Sequence, residues 1–300
     1  MSYCVNCGKE YDKPSGICLS CYSDQIIPNE VIDLELSGYK GKSRHPDGLN
    51  FGFPGEKAAL TLSIIISVII AIILGTVSFG LFFVILLINL MYQKINHLSS
   101  QKNMIRTSGN NFKNIFKLAK IAAYRLRLTL PEVYITEDPQ YNAYTMGFYK
   151  YGFIVINSSM IRDFKPNELL FVIGHEMGHM KKFHTTWLNL MHPAKIGSAS
   201  FLFAPIMQII FNVWSVKAEF TADQAGLIAS KNINSATISL LKLAGGPEVE
   251  KEVDISKIIN THGEQEEILS GMVEYFNTHP FIENRIRQLV TFSSLGNQSC

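Results

Sequence analysis

The stretch IGHEMGHMKKF, residues 173–183, contains the pattern His-Glu-x-x-His. Because residues four apart project from the same face of a helix, His175 and His179 can hold one metal ion between their imidazoles. Glu176 lies about 100° further round the helix, where its carboxylate can take a proton from a water on that metal. This is the arrangement of metal ligands and general base in a zinc peptidase. Two histidines on a buried polar helix face would show the same spacing.

The context of this motif favours the metal site. Pro166, followed by Asn167 and Glu168, is typical of a helix start. An apolar pattern with helical spacing then continues through the motif: Leu169, Leu170, Val172, Ile173, Met177 and Met180. The sequence therefore predicts that both histidines lie on a largely buried helix.

A second helix supplies the third metal ligand. A His-x-x-Gly-x-x-His continuation would need glycine at 182 and histidine at 185, but the chain has Lys182 and Thr185. The later stretch KAEFTADQAG, residues 217–226, places Glu219 and Asp223 on one helix face. We predict that Glu219 is the third ligand and that Asp223 accepts the second imidazole proton of a ligand histidine. Small neighbours favour close packing against another helix over a solvated acidic face: Ala218, Ala222, Ala225 and Gly226.

With two further motifs, the chain resembles a known family. NAYTMG, residues 142–147, resembles an Asn-Ala-x-x-x-Gly strand, and His279-Pro280 with Arg285 resembles a C-terminal His-Pro…Arg element. Both occur, with the motifs above, in the membrane zinc endopeptidases that include the HtpX-type heat-shock proteases and the type I CAAX prenyl proteases. The resemblance covers roughly residues 100–290. Tyrosine and threonine at 144 and 145 depart from the small residues that are commonest there in that family.

The resemblance implies a zincin-like fold, mainly α with a small β-sheet (α+β). It implies that Asn142 and Ala143 lie on an edge strand that binds an extended substrate, and that Arg285 contributes to substrate binding. An edge strand can bind a peptide backbone without reading much side-chain identity. His279 is either a donor to the oxyanion of the tetrahedral intermediate or a surface histidine that precedes a helix. The substrates implied are misfolded or damaged membrane proteins or, for some members, prenylated peptides.

Composition points to a membrane protein with soluble parts. Of the 300 residues, 47% are hydrophobic and only 17% are charged. The formal net charge of +2 is too small to indicate nucleic-acid binding, so no nucleic-acid partner is expected. The first thirty residues contain cysteines and polar residues in place of an apolar run, so we expect no signal peptide.

The N-terminal residues 1–25 contain two Cys-x-x-Cys pairs: Cys4, Cys7, Cys18 and Cys21. This spacing predicts a zinc ribbon with one structural zinc ion, which would supply the folding energy of so small a unit. Disulfides are the alternative, but the paired spacing and the lack of an export signal favour thiolates in a reducing compartment. We expect the ribbon to be structural or to bind a protein partner. Residues 26–57 are predicted to be a linker with one short strand at 31–36.

Residues 58–92 form an uncharged apolar tract. One spanning helix needs about 20 residues and two need about 40 with a turn, so the tract predicts a tight transmembrane hairpin of helices 58–74 and 77–92. One long tilted span is the alternative. Basic residues flank the tract on both sides: Lys40, Lys42, Arg44, Lys57, Lys94, Lys102 and Arg106. A hairpin in the lipid bilayer would then place both ends, and with them the ribbon and the catalytic domain, in the cytoplasm.

Residues 93–300 are predicted to be the peptidase domain. A basic amphipathic helix at 112–128 either packs on this domain or lies on anionic lipid, and three strands follow at 132–136, 143–148 and 151–156. The apolar segment 196–216, interrupted by Pro205, is either a third membrane element or a buried core helix. A final helix is predicted around 282–290.

These patterns predict a membrane-anchored zinc endopeptidase that acts on protein or peptide substrates. One catalytic zinc is held by His175, His179 and Glu219, and Glu176 is the general base. The alternative is an inactive membrane scaffold whose ribbon binds a partner protein. An inactive scaffold would be expected to lose a ligand or the base, and all four residues are present.

Overall fold

A computed structural model gives the architecture of the chain. It describes the backbone of residues 2–4, 10–11 and 26–28, then residues 51–77, 104–147, 152–191, 197–252 and 282–296, with a few residues between 80 and 91. Side chains are described from residue 51 onward within these ranges, except at 189–191, 197–208 and 295–296.

Three short strands lie at the N-terminus: β1 (Ser2–Cys4), β2 (Glu10–Tyr11) and β3 (Ile26–Pro28). They form an antiparallel sheet in the order β2-β1-β3. β3 begins one residue beyond the predicted ribbon and pairs with β1, which ends at Cys4. The four cysteine side chains and the predicted strand 31–36 lie outside the described residues, so the zinc ribbon stays a prediction.

Helix α1 (Glu56–Val77) has 22 residues and is long and apolar enough to cross a membrane. Most of its large apolar side chains are exposed, whereas Ser63 and Ser67 are buried. The Ser63 hydroxyl donates to the carbonyl of Ile210 over 2.8 Å. A surface helix of a water-soluble protein shows the opposite distribution, with apolar residues facing inward. This inside-out pattern is typical of a helix whose outer face meets lipid.

The end of α1 differs from the predicted first arm, because the helix continues through Gly75 to Val77. The Phe83 ring then packs on Gly75, where an added Cβ would lie 2.2 Å from the ring. Residues 83–84, 87–88 and 91 are helical, and the other residues of 78–92 apart from Gly80 lie outside the described part. The two-helix hairpin therefore stays a prediction.

A second sheet combines β4 (Ile105–Arg106), β5 (Glu132–Thr136), β6 (Ala143–Met146) and β7 (Phe153–Asn157). Its order is β4-β5-β7-β6, with β5 and β7 parallel and the other pairs antiparallel. The sequence FIVIN makes β7 buried throughout, as expected for a central strand. β6 is an edge, since among the described strands it pairs with β7 alone.

Helices cover this sheet and build the core. They are α2 (Lys113–Arg125), α3 (Ser158–Asp163), α4 (Pro166–Lys181), α5 (His184–Met191), α6 (Gly197–Ser230), α7 (Ile233–Gly245), α8 (Val249–Glu252) and α9 (Ile282–Gly296). The apolar face of α2 is buried in this core, so of the two predicted alternatives the helix packs on the peptidase domain. The predicted mainly helical fold with a small mixed sheet is also confirmed.

Helix α6 joins two stretches that the sequence analysis treated separately, the apolar segment 196–216 and the acidic segment 217–226. In its first half, Phe211 and Trp214 are buried near α1 and α5, while Ile209 and Val213 are exposed. Whether this half also meets lipid stays a prediction. Glu219 and Asp223 therefore lie on one long, continuous helix that packs beside α1.

The pair α4 and α6 packs at unusually close range. A Cβ added to Gly178 would lie 2.6 Å from the Ala225 Cβ, and one added to Gly174 would lie 2.4 Å from the Ala229 Cβ. Only hydrogen at these positions lets the two backbones approach so closely. The close packing predicted from the small residues of α6 is confirmed, and it brings the histidines of α4 opposite Glu219.

Candidate active site

Helix α4 begins with a well-bonded first turn. Pro166 is its first residue, and the Glu168 carboxylate accepts from the backbone N–H of Lys165 over 3.0 Å. Glu168 is buried and also pairs with the buried Lys242 ammonium at 2.9 Å. The start of α4 is therefore anchored to α7 through Glu168, about two helical turns before the first histidine of the motif.

Three side chains with metal-binding atoms converge between α4 and α6. The Nε2 atoms of His175 and His179 lie 3.1 Å apart. In Glu219, Oε2 lies 3.6 Å from Nε2 of His175 and Oε1 lies 3.5 Å from Nε2 of His179. Ligands at about 2.0–2.2 Å from a tetrahedral zinc ion lie about 3.3–3.6 Å from one another. The distances to Glu219 fall in this range and the distance between the two Nε2 atoms is slightly shorter, so this donor triangle of His175, His179 and Glu219 suits zinc in donor type and closely in size. These residues are the predicted ligands.

The outward nitrogen of His175 is held by an ion pair. Its Nδ1 lies 2.9 Å from Oδ1 of Asp223, one helical turn after Glu219 on α6. Arg285 of α9 donates to the same carboxylate from Nη2 at 2.6 Å and from Nε at 2.8 Å. The guanidinium also lies 3.5 Å from the Glu219 carboxylate. The structure thus brings together His175, Glu219, Asp223 and Arg285.

Charge in this cluster is stabilised by pairing. Burial alone would raise the pKa of Asp223, but the Arg285 guanidinium and the His175 ring hold it below its usual range. Burial likewise disfavours the Arg285 cation, yet the carboxylates of Asp223 and Glu219 raise its pKa. Asp223 and Arg285 are therefore both ionised near pH 7, although both are buried.

The outward nitrogen of His179 has a different partner. Its Nδ1 lies 3.0 Å from Nδ1 of His184, the first residue of α5. Nε2 of His184 lies 2.8 Å from Oε1 of Glu56, the first residue of α1. The other Glu56 oxygen accepts from the hydroxyl of Thr221 on α6. Burial lowers the pKa of His184 to about 4, so its ring is neutral near pH 7.

Glu176 lies under the edge strand. The Thr145 hydroxyl on β6 is 2.7 Å from Oε2 of Glu176 and 3.2 Å from the Glu176 carbonyl oxygen. The carboxylate is buried beside the metal ligands, with one oxygen held by this hydroxyl. The edge strand and the candidate general base are thus in direct contact.

The remaining predicted site residues are placed as follows. Ala143 lies on β6 opposite Ile156, and Asn142 is exposed just before that strand, its carbonyl accepting from the N–H of Asn157 at 3.0 Å. Arg285, predicted to bind substrate, is buried and contacts Asp223, Glu219 and His175. His279 lies outside the described residues.

The sequence analysis did not identify the roles of Glu56, His184 and Thr145. The continuation tested after the motif required histidine at 185, one residue beyond His184, and Glu56 fell within the predicted linker 26–57. A third histidine soon after His-Glu-x-x-His was the available signal for His184. Nothing local marks Glu56, because it is 128 residues from His184.

The chain is similar to known proteins over the part that contains this site. Residues 111–293, more than half of the chain, match the model of peptidase family M48. The chain is 28% identical over 180 residues to a plastoglobule-localized metallopeptidase 48, chloroplastic, of Arabidopsis thaliana, covering 58% of this chain and 52% of that protein. It is 24% identical over 257 residues to a protease HtpX homolog of Tropheryma whipplei, covering 72% of this chain and 86% of that one.

A crystal structure of Ste24p from S. mikatae is also similar, with a TM-score of 0.44 and 14% sequence identity. The likeness covers 87% of this chain and 72% of that one. The match to the Arabidopsis protein, by contrast, spans only about half of that protein's length.

Proposed function

This chain belongs to peptidase family M48, and on that premise we propose that it is a membrane-anchored zinc endopeptidase. The observation that carries the proposal is the donor triangle of His175, His179 and Glu219, whose edges of 3.1–3.6 Å suit one zinc ion. Glu176 on the same helix adds a buried carboxylate beside that triangle.

In the proposed reaction, each residue has one task. His175, His179 and Glu219 would hold a zinc ion, which would supply a polarised scissile carbonyl and a water acidic enough to lose a proton near neutral pH. Glu176 accepts that proton and later gives it to the leaving amine. Thr145 donates to one oxygen of Glu176 and so leaves the other oxygen to face the reacting water. Asp223 holds the His175 ring, and Arg285 holds Asp223.

The edge strand β6 is the proposed substrate platform. Its side away from β7 has no partner strand in the described part of the chain, so an extended peptide can add there as a further strand. Asn142 and Ala143 would then contact the substrate backbone, and Thr145 places that platform next to Glu176. We assign His279 to the oxyanion and misfolded membrane proteins as substrates on the family resemblance alone.

The membrane assignment is supported by the apolar, exposed face of α1. We propose that residues 58–92 form a hairpin in the bilayer, with the ribbon and the peptidase domain in the cytoplasm. Four thiolates would hold a second, structural zinc in the ribbon, which we propose contacts a protein partner. No nucleic acid takes part in this proposal.

The test is zinc content together with cleavage of an unfolded protein, both measured on the purified full-length chain in detergent. We expect wild type to contain zinc and to cleave. Glu176→Gln should keep its zinc but lose about 10²–10⁴-fold in cleavage, because the amide cannot accept a proton. Glu219→Gln should lose or loosen the catalytic zinc, because a neutral amide is a weak ligand.

Two results would contradict the proposal. Near-normal cleavage by Glu176→Gln would show that Glu176 is not the general base. Full zinc occupancy in Glu219→Gln would show that Glu219 is not the third ligand. A wild-type chain that binds zinc but cleaves nothing would favour the inactive scaffold. The ribbon is tested separately, since changing Cys4 and Cys7 to Ser should remove one zinc and leave the catalytic ion bound.

A further inference from the structure

The segment directly before α1 is bound to the peptidase helices. This strap, residues 51–56, lies across α6: the N–H of Gly52 donates to the Gln224 side chain at 2.9 Å, and the N–H of Phe53 donates to Oγ1 of Thr221 at 2.8 Å. The Phe53 ring packs against Phe220 with centroids 4.8 Å apart and the ring planes tilted by 49°. The end of the predicted linker is thus part of the folded domain, although it lies outside the family match.

The strap ends in Glu56, from which a chain of hydrogen bonds leads to a metal ligand. When Nε2 of His179 offers its lone pair to a metal, the hydrogen of the neutral ring sits on Nδ1. That N–H must donate to Nδ1 of His184, so the hydrogen of His184 sits on Nε2 and donates to Glu56. One proton assignment therefore satisfies every bond in the chain.

Neighbouring side chains hold this chain of hydrogen bonds in one geometry. His184 is buried at 1% exposed side chain and meets Trp214 edge to face with ring centroids 5.8 Å apart. Glu56 is fixed from the far side by Thr221, whose own hydroxyl is fixed by the N–H of Phe53. Glu56 lies on α1, His184 on α5 and Thr221 on α6. The bond to His179 therefore depends on the position of the strap relative to these helices.

We propose that Glu56 and His184 are positioning residues for His179, through which the base of the membrane-spanning helix orients a zinc ligand. The inference rests on the proposed function, because it requires a metal at the donor triangle. A carboxylate behind a ligand imidazole fixes the ring's tautomer and orientation and makes it a better ligand. Here the carboxylate acts through a second imidazole and is carried by α1 itself. Loosening the strap should therefore weaken zinc binding.

The experiment is a zinc titration against a competing chelator on the full-length chain in detergent, with Zn²⁺ alone as the probe. Removing such partners commonly costs 10- to 100-fold in metal affinity. We expect a loss in that range, about 10- to 100-fold, for His184→Leu, which deletes both nitrogens. His184→Gln keeps an acceptor and an N–H donor and should recover part of the affinity. Glu56→Gln should show a smaller loss than His184→Leu.

Two comparisons complete the test. Lys57→Gln is the matched control, since it changes a charge in the same helical turn as Glu56 but leaves the chain of hydrogen bonds from Glu56 to His179 intact. This variant should bind zinc like wild type. The double variant Glu56→Gln/His184→Leu should bind no more weakly than His184→Leu alone, because both changes break one chain of bonds. Thermal unfolding of the metal-free proteins checks that each variant folds.

The outcomes separate this inference from the function on which it rests. Equal zinc affinity in wild type, Glu56→Gln and His184→Gln would overturn it while leaving the peptidase assignment intact. A lower metal-free stability of these variants with unchanged zinc affinity would also overturn it, because that is the result of a purely structural role. A wild-type chain with no catalytic zinc would instead overturn the proposed function.

Discussion

The two histidine ligands are held by different kinds of support. His175 is backed by a charged pair, Asp223 with Arg285, whose members are fully within the segment that matches the family. His179 is backed by a neutral ring, His184, and through it by Glu56, which lies before that segment. One ligand is thus held from inside the peptidase fold and the other from the base of α1.

The difference predicts two kinds of failure. An ion pair that loses one member leaves an uncompensated charge in the protein interior, which costs stability as well as metal binding. The chain behind His179 has one charge, the Glu56 carboxylate at its end, and the Thr221 hydroxyl still donates to that carboxylate when His184 is replaced. The loss should therefore fall mainly on the orientation of the ligand. Variants on the His175 side should therefore unfold more easily than those on the His179 side.

The largest effect on stability is expected for Arg285→Met. Asp223 is 1% exposed and would be left as a buried carboxylate without its guanidinium, which commonly costs about 3–5 kcal/mol. Thermal and denaturant unfolding of the metal-free protein in detergent measure it. The double variant Asp223→Asn/Arg285→Met removes both charges and should regain part of the loss. A single variant as stable as wild type would mean that the pair contributes nothing to the fold.

A smaller loss of stability is expected at the contact between α4 and α6, on which the positions of both histidine ligands depend. In Gly178→Ala the new Cβ would lie 2.6 Å from the Ala225 Cβ and 3.1 Å from the Ala222 Cα, so α4 and α6 must move apart. Overpacking costs about 1–3 kcal/mol, against a gain of up to about 1 kcal/mol in helix propensity. We expect a net loss of about 1–2 kcal/mol in the free energy of unfolding.

The matched control for this change is Gly109→Ala, since nothing lies within 4 Å of a Cβ at that position. It should leave both stability and zinc affinity unchanged. In Gly178→Ala, the zinc affinity should fall with the stability because the donor triangle spans the two helices. A Gly178→Ala protein as stable as wild type would show that α4 and α6 can separate without strain.

Local pattern was sufficient for the elements that carry the chemistry. The spacing of apolar residues and Pro166 predicted α4 to its first residue, and the β-branched run at 132–136 predicted β5 with its observed bounds. His-Glu-x-x-His and the later Glu219 could be read as ligands because helical spacing decides which side chains share a face. The family match confirms the predicted family.

Long-range pairing could not be predicted in the same way. Glu56 and His184 are 128 residues apart, and no spacing rule connects a residue at the end of a glycine-rich linker with one after the motif. Pro205 indicated an interruption, yet α6 runs from Gly197 to Ser230 as one helix. Arg285 was assigned to substrate because only tertiary packing shows that its guanidinium is used by Asp223.

Within the site, Thr145 tests whether the general base also needs support. Thr145→Val removes the hydroxyl 2.7 Å from Glu176 and keeps the shape of the side chain. A hydrogen bond to a charged group contributes about 1.5–3 kcal/mol, but a water can replace part of it, so we expect roughly a 10-fold fall in kcat. Zinc affinity should not change. Thr145→Ser restores the hydroxyl and should restore the rate, whereas a loss shared by both variants would indicate strand packing instead.

The smallest effect is expected at the contact that seats α1 on α6. Ser63→Ala removes the bond from the Ser63 hydroxyl to the carbonyl of Ile210, and a hydrogen bond between membrane helices averages only about 0.6 kcal/mol. Because α1 also carries Glu56, this slight loosening should reach His179 and lower zinc affinity by about two-fold. Thr61→Ala is the control, since in the described part of the chain the Thr61 hydroxyl donates within α1, to the carbonyl of Lys57. Chelator titrations of the two variants side by side give the comparison. If Ser63→Ala and Thr61→Ala bind zinc equally, the contact of α1 with α6 at Ser63 does not influence the ligand. The His179 side of the site would then be held by the strap alone.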